Sequence, residues 1–157
     1  MAVASLAGGP SRVHAQAART FDPIAFFSGG TEGHGTVDEV LASPRKIHVT
    51  GTGALRAGGV FVLDQTVRIE GDPVQRRQWQ LRQTAPGRFS GTLTDASGPV
   101  TGVVTGQRLQ IGYKMKGGMK VEQVLTLAAD GRSAANRMKV RKLGIVVATV
   151  VETIRKT

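Results

Sequence analysis

Residues 76–93, RRQWQLRQTAPGRFSGTL, do most to fix what this chain can fold into. Arg77, Trp79 and Leu81 share one parity, and Arg76, Gln78, Gln80 and Arg82 share the other. That is the period of a strand with one buried face, not of a helix. Ala85-Pro86-Gly87 breaks the run, because proline presets the first corner of a turn and glycine accepts a positive φ at the second. On the return, Phe89, Gly91 and Leu93 face one way and Arg88, Ser90 and Thr92 the other. The stretch is an antiparallel hairpin with a dry face and a wet face.

The same unit repeats along the chain. Thr31 to Leu41 and Lys46 to Leu55 read as the first two strands, separated by Ala42-Ser43-Pro44-Arg45. Val60 to Glu70 alternates again, with Phe61, Leu63, Val67 and Ile69 on one side and Gln65 as a polar intruder in that row. After the hairpin of residues 76–93 come Val100 to Thr105, Arg108 to Lys116, Lys120 to Ala129, Ala134 to Lys142 and Ile145 to Lys156. Leu109, Ile111, Tyr113 and Met115 form one inner row, and Val121, Gln123, Leu125 and Leu127 another. Asp130-Gly131 is a hairpin signal. Ile145 to Val151 is almost continuously β-branched, so both of its faces are expected to be covered, the outer one by the N-terminal turn. About ten hairpin-linked strands at this spacing indicate an all-β, antiparallel, up-and-down sandwich or barrel. Closure into a barrel is favoured, because it removes exposed edges and the many strand glycines supply the bends of a curved sheet.

Ahead of the strands, Phe21-Asp22-Pro23-Ile24-Ala25-Phe26-Phe27 holds three of the five phenylalanines. Asp22 followed by Pro23 reads as a helix N-cap with proline at the first helical position, and Ser28-Gly29-Gly30 as the stop. One short helical turn carrying Phe26 and Phe27 would plug the end of a barrel. Residues 1–20 read as a tail or the remnant of a signal peptide, and residues 21–157 as one domain. Ala15-Gln16-Ala17 has the small-x-small form of a signal-peptidase site, but a positive n-region and a long apolar run are missing. Either the true start lies upstream, or residues 1–17 are an alanine- and glycine-rich tail.

Lys+Arg number 21 against 11 Asp+Glu. Residues 1–17 hold only Arg12 among these, so the basic character belongs to the domain and favours anionic partners. A nucleic-acid partner is disfavoured, since aromatics make up only 4% of the chain and single strands are read by stacking on aromatic rings. The sequence has no cysteine, which excludes disulfides, thiolate metal sites, thiol catalysis and a cysteine-linked lipid anchor. No run approaches the roughly 18 apolar residues of a spanning helix.

Phe21-x-Pro23-x-x-Phe26-Phe27-x-Gly29, Gln75-Arg76-Arg77-x-Trp79, Pro86-Gly87-Arg88-Phe89-Ser90-Gly91 and Asn136-Arg137-Met138-x-Val140-x-Lys142-Leu143-Gly144-Ile145 together resemble the bacterial domain of unknown function family 3833. The resemblance runs from Phe21 onward. It implies a lipocalin-like barrel in the envelope of a Gram-negative bacterium, often as a lipoprotein, and no established activity or cofactor. Two features depart from the family: the missing anchor cysteine, and Gln123-Val124-Leu125-Thr126 where relatives often carry an acidic and aromatic cluster.

The inward rows nominate Arg77, Trp79, Phe61, Phe89, Leu109 and Tyr113 as ligand-binding residues. Arg137 joins them if closure brings it near Trp79. An inward arginine can hold the carboxylate or phosphate of an amphiphile, or simply tie the barrel end together. His34 and His48 lie on neighbouring strands, but a turn at Ala42 to Arg45 would not set them opposite one another, and no third ligand is evident. That argues against zinc. Asp38, Glu39, Asp64, Glu70 and Asp72 fall on wet faces or turns, so catalysis has little support. Arg137, Lys139 and Arg141 share one face, with Lys114 and Lys116 near in sequence, which is either a solvated face or a dock for anionic lipid. The reading is a non-enzymatic periplasmic binder of a small hydrophobic or amphipathic molecule. Its alternative is a filled barrel that acts through its basic surface.

Overall fold

The structure, a computed structural model, describes residues 18–157. The candidate signal-peptide features at residues 1–17 lie outside the described residues. The first element is α1 (Pro23–Phe27), which starts where the sequence predicts, the Asp22 carboxylate accepting from the Ala25 N–H at 3.1 Å. Ten strands follow: β1 (Gly29–Glu39), β2 (Arg45–Leu55), β3 (Phe61–Ile69), β4 (Gln75–Ala85), β5 (Arg88–Leu93), β6 (Val100–Thr105), β7 (Arg108–Met115), β8 (Met119–Leu127), β9 (Ser133–Lys142) and β10 (Ile145–Lys156). Each pairs antiparallel with its sequence neighbours, and β1 pairs with β10, so the sheet closes into a barrel. Between β4 and β5, Gly87 takes the φ of +68° that the Pro86-Gly87 turn requires.

Alternation sends one face of every strand inward. On β8, Val121, Gln123, Leu125 and Leu127 are buried while Lys120 and Glu122 are exposed. The inward residues form two apolar clusters. The larger gathers Phe21, Phe26 and Phe27 with Phe61, Leu63, Trp79, Leu93, Leu109, Leu125 and Ile154. The smaller gathers Val37, Ile47, Val49, Val67 and Val150 toward the opposite end.

The first of these ends is closed. The Phe21 N–H donates to the Gly106 carbonyl at 2.8 Å on one side of the barrel, and Ser28 bridges to Gly53 on the other. α1 therefore lies across the opening. Lys156 locks it there, its ammonium donating to the carbonyls of Ala25, Phe26 and Ser28 at 3.0, 2.7 and 2.9 Å. These are carbonyls at the end of a helix, where no backbone donor reaches them and a cation is favoured. This plug corrects the expectation for residues 145–151. The N-terminal turn seals the barrel end instead of covering the outer face of β10, so Ile145 and Val151 stand 67% and 42% exposed.

At the closing seam a β-carbon on Gly35 would overlap the backbone carbonyl of Val151 across the β1–β10 pair. Backbone cannot yield as a flexible side chain can. Gly35→Ala is expected to destabilise the fold by about 1–3 kcal/mol in urea unfolding, the usual range for overpacking. Gly98→Ala, where nothing lies within 4 Å, is expected to stay within about 0.5 kcal/mol. Equal effects of the two would show that the seam is not so tightly closed.

Candidate functional site

The barrel interior is hollow. A cavity of about 630 Å³ runs from α1, through Ile24 and Phe27, to Val40, Met115 and Met119 at the far end. Val40 is 60% exposed, so the cavity opens at that end. Of the residues nominated from sequence, Arg77, Trp79, Phe61, Phe89, Leu109 and Tyr113 all line it. Arg137 does not. Its neighbours Asn136 and Met138 point inward, so parity turns Arg137 out to solvent, and closure brings its strand but not its side chain toward the interior.

Within this apolar space Glu39 and Gln75 lie at the open end, and the other polar groups fall along the interior of their strands. Gln65 lies between Leu63 and Val67 on β3, Tyr113 between Ile111 and Met115 on β7, and Gln123 between Val121 and Leu125 on β8. Asn136 lies between Ala134 and Met138 on β9, and Glu152 between Val150 and Ile154 on β10. Arg77, next to Trp79 on β4, completes the belt. The register puts Gln65 opposite Arg77, and Glu152 opposite Asn136. Trp79 donates its indole N–H to Gln65 Oε1 at 2.7 Å and meets the Tyr113 ring edge-on at 5.8 Å between centroids. The Arg77 guanidinium reaches Asp95, Nε to Oδ2 at 2.6 Å. That is ion-pair distance, but without hydrogen-bond alignment, so Nε counts among the unpartnered atoms.

Two other buried atoms, Gln123 Oε1 and Asn136 Oδ1, lack partners among the described residues. Native interiors leave few such groups, and each one asks for a cause. Glu152 is only 7% exposed. Burial pushes its carboxyl up, while the Asn136 amide, Arg77 and His34 pull it partly back. Burial also raises the Tyr113 phenol, with Arg77 opposing.

Sequence reasoning placed Gln65 and Gln123 in inner rows but passed over Asn136 and Glu152. The signal was there, since Glu152 shares parity with Val150 and Ile154. The near-continuous β-branched run around it masked the alternation.

Outside the barrel the register overturns a second expectation. His34 pairs directly with His48, because the hairpin centres on Leu41 and not within residues 42–45. The rings stack at 4.4 Å. Both Nε2 atoms contact Glu32 Oε1, at 3.1 and 2.8 Å, so the third group that the sequence failed to offer is present. The hydrogen bonds to His48 and His34 hold the Glu32 carboxyl below its usual range. Two imidazoles and a carboxylate within 4.8 Å of one another are a donor set that could take a transition-metal cation. Arg155 stands opposite Glu32, and Arg68 opposite His48, so fixed positive charge beside the group opposes a cation.

A closed up-and-down barrel of ten antiparallel strands, plugged at one end and hollow within, is a lipocalin-like protein. The chain belongs to the family DUF3833, described as protein of unknown function, which matches residues 1–156. No curated protein matches the chain. Among solved structures, it is similar to an S-type phycobiliprotein lyase from Guillardia theta, with a TM-score of 0.67 at 6% identity over 85% of this chain and 90% of that one. It is also similar to Rv2717c from M. tuberculosis, with a TM-score of 0.66 at 16% identity over 85% and 94%. A DUF3598 protein of unknown function from Nostoc punctiforme gives 0.66 at 12% identity, over 88% of this chain and 50% of its own. At these identities the likeness is one of fold. No helix among the described residues is long and apolar enough to cross a membrane.

A carboxyl whose folded pKa lies above its unfolded value favours folding while protonated and opposes it once ionised. For Glu152 that stability is present below the unfolded value of about 4.3 and is lost as pH rises through the raised folded value. Glu152→Gln should therefore melt close to wild type at acidic pH and above it at neutral pH. Parallel melting-temperature profiles would show that the carboxyl is solvated.

Proposed function

We propose that this protein is a non-catalytic binder of one small apolar or amphipathic molecule, a single-chain lipid or a compound of similar shape, held inside the barrel in the bacterial envelope. The observation that carries the reading is the cavity itself, largely apolar, with a polar belt partway along it. Its volume lies within the roughly 300–1,000 Å³ of small-molecule sites, and a few convergent polar groups in an apolar lining are what such sites use for orientation. Gln123 and Asn136 offer one bare acceptor each, and the Arg77 guanidinium, held by Asp95, offers positive charge beside them, so the ligand that fits carries a hydroxyl, amide or carboxyl partway along an apolar body. A chain with no polar group would leave these atoms buried and unpaired, at about 1–3 kcal/mol each. The filled-barrel alternative has no support in a hollow interior. Placement in the periplasm of a Gram-negative cell rests on the family resemblance and on the small-x-small motif at residues 15–17.

Trp79 is the only tryptophan and lines the cavity, so its emission reports occupancy directly. A polyene fatty acid that absorbs tryptophan emission is expected to quench Trp79 saturably, near one equivalent. Ile111→Phe, which narrows the cavity, should weaken the titration about tenfold, the effect of forcing one extra apolar group into a fitted site. Organic extracts of protein purified from its native compartment should yield a stoichiometric small molecule by mass spectrometry. An unquenched Trp79 with an empty extract would end the binding reading, and chemical turnover of the bound molecule would replace it with an enzymatic one.

A further inference from the structure

Five exposed aliphatic side chains gather at one end of the barrel, the end that α1 leaves open. They are Val40 at 60%, Leu41 at 103%, Val74 at 55%, Leu143 at 92% and Ile145 at 67% exposure. Leu41 tips the β1–β2 hairpin, and Leu143 tips the β9–β10 hairpin beside it. The two hairpins are tied by the Val40 N–H, which donates to the Val147 carbonyl at 3.0 Å.

Both leucines are also conformationally expensive. They are the only non-glycine residues with positive φ among those described, 63° at Leu41 and 50° at Leu143. Glycine or asparagine is the low-energy occupant of such a turn, and a bulky aliphatic residue is strained there. Each leucine thus sits in a disfavoured backbone state with its side chain in water, and gains nothing from the rest of the fold. What it gains must come from outside.

Charge on the same rim is lopsided, basic on the β7–β9 side and acidic across the mouth at Asp38, Glu39, Glu70 and Asp72. Lys114, Lys120 and Arg141 face one another across β7, β8 and β9, an arrangement of like charges that costs stability. Lys116 and Lys142 stand beside them at the tips of the same hairpins. Of these five cations, only Arg141 has an acidic partner among the described residues, Glu122 at 2.7 Å. Across the mouth, Glu39 and Asp72 are both taken by Arg45, at 2.5 and 2.7 Å.

We propose that this open rim docks on an anionic phospholipid bilayer. Leu41, Leu143 and Ile145 enter the boundary between headgroups and acyl chains, and Lys114, Lys116, Lys120 and Lys142 meet the phosphates. The basic surface that works is then the rim, not the strand face of Arg137 and Lys139. Docking in this orientation sets the mouth of the cavity on the lipid, the shortest path for an apolar molecule that would otherwise cross water. The proposal rests on the outer surface and stands whether or not the cavity holds a ligand.

Flotation with vesicles tests it. The protein should float with phosphatidylcholine vesicles containing phosphatidylglycerol, and much less with phosphatidylcholine alone or in high salt. The double variant Leu41→Gly, Leu143→Gly relieves the backbone strain, so it should melt no lower than wild type yet lose about tenfold or more of its partitioning, as expected for withdrawing apolar side chains from a lipid boundary. Lys116→Glu with Lys142→Glu should lose the preference for anionic vesicles. Trp79 quenching by the fatty-acid probe should be unchanged in both, which separates failure of docking from failure of ligand binding. Undiminished flotation of the glycine variant, equal binding to neutral vesicles, or no flotation at all would overturn the proposal.

Discussion

Closure of β1 on β10 is the constraint on which the rest of the structure depends. An open ten-stranded sheet would expose two edges and one apolar face, and joining the first strand to the last removes both edges at once. The seam is made by glycine. Gly35 lets the β10 backbone approach, and Gly33 leaves the space into which the Glu152 carboxyl folds, since a β-carbon there would overlap its Oε1. The residues that close the barrel therefore also place its buried acid.

Closure also divides the molecule into two unlike ends. One receives α1, whose phenylalanines complete the larger core cluster and whose carbonyls are held by Lys156. The other receives nothing, and its hairpins carry leucine, isoleucine and lysine into water. Between the ends the interior is wider than its side chains can fill, and the belt from Gln65 and Arg77 round to Glu152 lies where polar groups, some already paired with each other, can meet a bound molecule. Arg77 is the informative case. Its charge is matched by Asp95 at 2.6 Å, which keeps a largely buried cation tolerable beside the cavity.

Much of this was legible in the residues. Parity assigned Trp79, Phe89, Leu109 and Tyr113 to the interior, and turn chemistry placed the hairpins other than β1–β2. The Asp22-Pro23 cap located α1. The failures share a cause, which is that parity says which face a residue occupies but not what lies opposite. His34 and His48 were misjudged because a hairpin centre two to three residues away changes every cross-strand partner. Arg137 was drawn inward by an argument about which strands meet, although its own parity turned it out. Glu152 was missed because a β-branched run looks buried on both sides, whether or not a polar residue interrupts one of them.

The sequence by itself determined that this chain forms antiparallel hairpins, which side chains share a face and where most turns fall, because these depend on contacts between residues close along the chain. Only the tertiary structure decided that the interior stays hollow, that α1 seals one end and leaves the other open, and that the amide oxygens of Gln123 and Asn136 have no partner among the described residues. Those properties depend on barrel circumference and on register summed over ten strands, and no local stretch of sequence contains that sum.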